Sequence, residues 1–166
     1  MKRIAYILIV IMTITSCDKV DELTKFDVDY ESNYTIASTT IINTPFSIIT
    51  PDITTNSTST FENNNTRSDL VESIRLRSVR ITLISPSDSN FDFLRSMRVF
   101  LDADDLEEVE VAFITDLEDD NVASLNLQLT NQELKEFIKK ESFRLRVQTT
   151  TDQTLTQDHD IKIDCK

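Results

Sequence analysis

Phe143-Arg144-Leu145-Arg146-Val147-Gln148-Thr149 alternates apolar and polar side chains without a break, and this period of two decides the class of fold. In an extended chain Phe143, Leu145 and Val147 point one way and Arg144, Arg146 and Gln148 the other, as in a strand with one face on a core. The pattern recurs outward from this stretch. His159, Ile161, Ile163 and Cys165 alternate in a final strand, and Val28, Tyr30, Tyr34 and Ile36 do so in a first one, opposed by Asp27, Asp29, Glu31, Asn33 and Thr35. Further strands are predicted at Ile74 to Ser85, Arg98 to Ala103, Val109 to Ile114 and Ser124 to Leu129. The first of these switches parity near Arg77 to Val79, which suggests a β-bulge. Ile41-Ile42 and Phe46 to Ile49 are broken by Pro45 and Pro51, which places them at edges or in loops.

One helix is predicted over Asn131 to Lys140. Thr130 and Glu133 have capping-box spacing, and Leu134, Phe137 and Ile138 form an i, i+3, i+4 stripe. Many short alternating strands with one short helix in a connection predict an all-β fold, an antiparallel two-sheet sandwich of immunoglobulin-like architecture. Residues 27–166 form its single domain, with the Ser/Thr/Asn-rich 27–68 the least clearly patterned part.

The 166 residues contain no glycine, against an average of about 7%, so every left-handed turn must be made by other residues. Asn and Asp tolerate that conformation best. They crowd predicted strand ends at Asn63-Asn64-Asn65, Asp102 to Asp105, Asp116 to Asn121 and Asp152. Gly-rich phosphate cradles are excluded, and with them P-loop and dinucleotide fingerprints.

Residues 1–16 have the layout of a secretion signal. Lys2 and Arg3 precede the apolar run Ile4 to Ile14, and small residues follow at Thr15-Ser16-Cys17. The run is well short of the roughly 20 apolar residues that a spanning helix needs. Ile14-Thr15-Ser16-Cys17 resembles the lipobox of bacterial lipoproteins. That resemblance implies cleavage before Cys17, a diacylglyceryl thioether on Cys17, usually an N-acyl chain, and stable anchoring without a membrane-spanning segment. Residues 17–26 then form a lipidated tether. Within it, Asp18-Lys19-Val20-Asp21-Glu22 resembles the acidic export signal of surface-displayed lipoproteins of Bacteroidota, with Asp18, Lys19, Asp21 and Glu22 as signal residues. A plain solvated tether is the alternative reading. Asp18 pulls the other way, since aspartate after the acylated cysteine retains lipoproteins of enteric bacteria in the inner membrane. The outer membrane, on its periplasmic or exposed face, is therefore the expected address, with the inner membrane left open. From Tyr30 onward, Phe61-Glu62-Asn63-Asn64-Asn65-Thr66, Ser85-Pro86, Asn90-Phe91-Asp92-Phe93-Leu94 and Phe137-Ile138-Lys139-Lys140 give a general similarity to Bacteroidota lipoproteins with no assigned reaction.

The net charge of −12 becomes −14 once Lys2 and Arg3 leave with the signal, 15 basic against 29 acidic residues. Such a surface repels phosphate backbones and anionic head groups, so no nucleic-acid partner is expected and the lipid alone makes the membrane contact. Arg75, Arg77, Arg80, Arg95, Arg98, Arg144 and Arg146 read mainly as the outward faces of strands, paired with carboxylates.

No reaction is visible. His159 is the single histidine, and nothing marks a nucleophile against it. Zinc would need more than His159 and Cys165, and with Cys17 committed to lipid, Cys165 has no disulfide partner. The chain has no Trp to form a sugar platform. Calcium takes oxygen ligands, and two acidic runs supply them, Asp102 to Glu108 and Asp116 to Asn121. They flank one strand and so lie about 20 Å apart. Alternating strand directions would gather Asp88 and Asp92 with the second run, giving Asp88, Asp92, Asp116, Asp119 and Asp120 as a candidate calcium set, against the simpler reading of solvated turns. Neither run follows the EF-hand pattern. The expectation is a non-enzymatic, lipid-anchored envelope protein acting as an interaction or structural module with an envelope protein or glycan partner. The alternatives are a glycan- or solute-binding accessory lipoprotein of an uptake system, an adhesion-like module with weak calcium sites, and a hydrolase using loop carboxylates.

Overall fold

The stretch around Phe143 becomes the longest strand of the fold and the spine of one sheet. A computed structural model describes residues 25–117 and 121–166. Its strands are β1 (Tyr30–Ile36), β2 (Phe46–Ile49), β3 (Ile53–Thr54), β4 (Val79–Ser85), β5 (Leu94–Asp102), β6 (Val109–Ile114), β7 (Ser124–Asn126), β8 (Gln128–Leu129), β9 (Ser142–Thr151) and β10 (His159–Cys165). Two short helices join them, α1 (Ser57–Asn63) and α2 (Lys135–Ile138). One sheet has the order β1-β10-β4-β7; the other runs β2-β9-β5-β6-β8, with β3 also paired to β9. Every pairing is antiparallel. The protein is an all-β, two-sheet sandwich.

Period two is what closes the core. Along β9 every second residue from Phe143 to Thr151 is buried, so Thr149 and Thr151 continue the inward row that Phe143, Leu145 and Val147 begin. Ile36, Val79, Ile81, Ile161 and Ile163 meet Met97, Val99, Leu145 and Val147 from the opposite sheet. The Tyr34 hydroxyl crosses the interface to Met97 Sδ at 3.6 Å.

Three local expectations change. Residues 74–78 are not strand, and the parity switch near Arg77 marks an element boundary rather than a bulge: the Arg77 and Ser78 amides donate to the Lys166 carbonyl, and β4 begins at Val79. Bulges fall instead between Asp160 and Ile161 in the β10–β4 ladder and at irregular steps along β5. The stretch Ser124 to Leu129 is two strands in different sheets. Buried Leu127 is the crossing point, its amide bonded to the Val79 carbonyl. The helix predicted over Asn131 to Lys140 shrinks to Lys135–Ile138 because Asn131 turns left-handed (φ 59°), and Glu133 lies before the helix with its carboxylate shared between Ser73, Ile74 and the Lys135 amide. Helix α1 had no sequence expectation at all.

The turns fulfil the glycine-free prescription. Every described residue with positive φ is Asn or Asp: Asn43, Asn56, Asn65, Asp105, Asp116, Asn121 and Asn131. Strand direction then sorts the loops onto two poles. Ile36 pairs with His159 and Tyr30 with Cys165, so the start of β1 and the end of β10 share one end of the sandwich. Phe143 lies there too, its ring 5.1 Å from that of Tyr30. Loops 37–45, 86–93 and 152–158 emerge at the opposite end, as the pairing of Leu94 with Thr151 requires. Among the described residues no helix is long and apolar enough to cross a membrane.

Candidate functional site

The loop pole is organised around neutral amides rather than free carboxylates. Asp92 follows β4 by a short loop, and its Oδ1 accepts the Asn121 amide at 2.9 Å while Oδ2 accepts Asn90 Nδ2 at 2.8 Å. The same Asn90 Nδ2 reaches Asn121 Oδ1 at 2.6 Å, and Asn90 Oδ1 accepts the Asp92 amide. Gln153, just past β9, donates to the Asp92 carbonyl at 2.8 Å. The loop before β5 is thus tied to the loop after β6 and to the loop after β9. That brings Asp92 next to the end of the 116–121 run, the grouping that alternating strands predicted.

Beside this network lies a depression of about 240 Å³, walled by Asp88, Asn90 and Gln153 and floored by Phe93, Leu155 and His159. His159 is only 6% exposed, and its ring packs 4.7 Å from that of Phe93. Its Nδ1 stands 2.9 Å from the Gln157 carbonyl oxygen. A carbonyl only accepts, so Nδ1 is the donor in this contact. Among the described residues no hydroxyl or thiol is hydrogen-bonded to this ring. Neighbouring Asp158 is held below the usual carboxylate range, chiefly by the Ser38 backbone amide at 2.8 Å.

At the other pole the acidic run 102–108 is occupied by cations. Arg144 Nη2 reaches Asp102 at 2.8 Å and Asp104 at 3.2 Å, and Arg146 grips Glu108 through both carboxylate oxygens at 2.7 and 2.6 Å. Arg146 also lies 3.9 Å over the Phe100 ring, and Arg98 pairs with Glu110 at 2.9 Å. These residues tile the outer face of the larger sheet. Bidentate guanidinium pairing fixes register across strands more than it stabilises, because the groups remain solvated. Cys165 is a free thiol at the end of β10; burial pushes its pKa up to about 12, with the Asp164 carboxylate acting in the same direction, which disfavours the thiolate.

Asp88 thus sits in the depression wall, Asp92 is a loop-pinning acceptor, and Asp116 is an exposed left-handed turn residue (φ 50°). Asp119 and Asp120 lie outside the described residues, as do Cys17, Asp18, Lys19, Asp21 and Glu22. Among the described residues no three His, Cys, Asp or Glu side chains converge as metal ligands. The sequence reading missed Asn90, Gln153 and Phe93, whose neutral side chains carry no charge signal. Their place in the gaps between predicted strands, Asn90 and Phe93 between Ser85 and Arg98 and Gln153 between Thr149 and His159, was the available clue. Comparison with protein-family models, with curated proteins and with solved structures finds no match to this chain.

Proposed function

We propose that the protein is a lipid-anchored, non-enzymatic interaction module of the bacterial envelope, tethered through Cys17 and presenting its loop pole to a partner. The observation that carries this reading is vectorial. The lipobox-like Ile14-Thr15-Ser16-Cys17 leads into β1 at the end of the sandwich opposite loops 37–45, 86–93 and 152–158. A chain anchored there holds its loops away from the bilayer, where a partner can reach them. The sandwich departs from immunoglobulin topology, since β9 and β10 lie in different sheets whereas the last two strands of an antibody domain are neighbours. The amide network at the loop pole, held by mutual hydrogen bonds, supports a preformed binding surface rather than a catalytic one.

Two measurements test the reading. Metabolic labelling with a fatty acid should mark the wild-type chain and not Cys17→Ser, and the variant should leave the detergent phase on cloud-point partition. Cross-linking in intact cells should return the same envelope protein repeatedly with the wild type. An unlabelled Cys17 overturns the anchor, and the absence of any reproducible cross-link overturns the interaction role.

A further inference from the structure

We propose that the depression floored by Phe93, Leu155 and His159 receives a basic side chain, arginine or lysine, of a partner polypeptide; this deepens the interaction reading above and names the chemistry of its partner.

Three observations converge on a cation. Two amide donors beside the depression are already used inward, Asn90 Nδ2 on Asp92 and Asn121 and Gln153 Nε2 on the Asp92 carbonyl, while the Ser89, Thr154 and Thr156 hydroxyls on its rim can accept as well as donate. The acceptors its lining residues offer are the Asp88 carboxylate and the Gln153 side-chain oxygen, beside a His159 ring whose Nδ1 is set against the Gln157 carbonyl. An ammonium group has three donors and no acceptor, a guanidinium five and none, so each matches such a wall.

Charge selects in the same direction. Loops 37–45, 86–93 and 152–158 contain no Lys or Arg, while Asp88, Asp92, Asp152 and Asp158 lie in them. The nearest base at the start of β5, Arg95, turns to Asn43 Oδ1 at 3.1 Å. An anion entering here would meet only repulsion; a cation is drawn in and gains as the site loses water. The apolar floor of Phe93 and Leu155 then suits the methylene stem that arginine and lysine carry behind the charge.

A polypeptide, rather than a free cation, fits the surroundings. Ile41 and Ile42 stand on loop 37–45 at the same pole, 71% and 41% exposed, and offer apolar area that a small ion would leave in water. A partner chain covers both the depression and this ridge.

The test is a titration of the purified full chain in neutral detergent micelles, followed by NMR. The probes are N-acetyl-arginine N-methylamide and its lysine counterpart, with N-acetyl-glutamine N-methylamide, methyl glucoside and calcium chloride as comparisons. The expected result is saturable shifts of the His159 ring signals and of amides in 88–93 and 153–159, with the two basic probes competing. Asp88→Asn should weaken binding about tenfold, the usual cost of losing one charge-assisted hydrogen bond. Gln153→Ala should weaken it less, and both variants are first checked for unchanged amide dispersion. Shifts that never saturate, that spread over all acidic residues alike, or that survive Asp88→Asn overturn the proposal. So does a saturable response to the glucoside or to calcium without one to the basic probes. Because the probes need neither the anchor nor a cellular partner, this outcome is independent of the labelling and cross-linking results.

Discussion

Asn65 shows how a chain without glycine ends a helix. After α1 its φ is 56°, the Asn65 amide donates to the Glu62 carbonyl, and the Thr66 amide donates to the Phe61 carbonyl. This is the Schellman pattern, with Asn in the left-handed position that glycine usually takes. A Cβ in that conformation costs about 1 kcal/mol, which Asn only partly escapes. Asn65→Gly should therefore stabilise by up to about 1 kcal/mol and Asn65→Ala destabilise by about the same amount in urea unfolding. Equal effects of the two variants would contradict the strain account. Glu133 presents the opposite case, a side chain held by many partners. Burial pushes its carboxyl upward, but the Ile74 amide, the Ser73 hydroxyl, the Lys135 amide and Arg75 together hold it below the usual glutamate range. A folded-state value below the unfolded one gives stability that is full above the unfolded pKa and lost as pH falls through the folded one. With its side chain 44% exposed the carboxylate is screened, so Glu133→Gln should cost only about 1 kcal/mol at pH 7. At a pH below its lowered folded-state pKa the wild-type carboxyl is protonated and the difference should shrink toward zero. A cost unchanged between the two pH values in paired denaturation curves would mean that the charge plays no part.

Among the elements, the strands with a buried face were legible and those with mixed roles were not. β9 and β10 were visible as alternation because both sit inside their sheets, each flanked by strands on both sides, so that inward positions other than His159 had to be apolar or small. β6 matched residue for residue, Val109–Ile114. The stretch 74–85 misled because Ile74 and Leu76 pack on the core from irregular chain, where burial follows tertiary contact and not a backbone period. α1 escaped because its one buried side chain, Phe61, forms no stripe. The loop pole was half visible. Carboxylates announced themselves by charge, whereas the amides of Asn90 and Gln153 that organise the site read only as generic turn residues. Position within a sheet also sets the cost of truncation. Ile163 is fully buried on β10, paired on both sides with Ser32 and Ile81, while Ile49 on edge strand β2 is 63% exposed. Ile163→Ala should cost about 3 kcal/mol through lost burial and residual cavity, and Ile49→Ala no more than about 0.5 kcal/mol. Chemical denaturation of the two variants checks the contrast, and comparable losses would mean that β2 is covered in solution.

Over the whole molecule, charge is distributed unevenly along the strand axis, and that asymmetry joins stability to function. At the pole where β1 begins acids are interleaved with bases: Asp27 with Arg77 and Lys166, Asp102 and Asp104 with Arg144, Glu108 with Arg146. At the loop pole Asp88, Asp92, Asp152 and Asp158 have no ion pair with Lys or Arg among the described residues. Salt acts on the two poles with opposite sign. It weakens the exposed pairs, each worth about 0–1 kcal/mol, and it relieves repulsion among unpaired carboxylates. With a net charge of −12 over the chain, repulsion has more partners than attraction. Raising sodium chloride from 0.01 to 0.1 M shortens the screening length from about 30 to about 10 Å, enough to separate acids on neighbouring loops while leaving contact pairs at 2.6 to 3.2 Å largely intact. The melting temperature should therefore rise by a few degrees over that range, corresponding to roughly 1 kcal/mol for a chain of this size. Asp152→Asn should raise the low-salt midpoint and flatten the dependence, since it removes an acid with no pairing base. A midpoint that falls with salt, in buffer containing EDTA, would show that the arginine pairs govern stability and that the loop pole holds no unrelieved negative field. Self-repulsion retained there would also be the field that draws in a cationic partner, so the same titration measures what the fold gives up to keep that pole attractive.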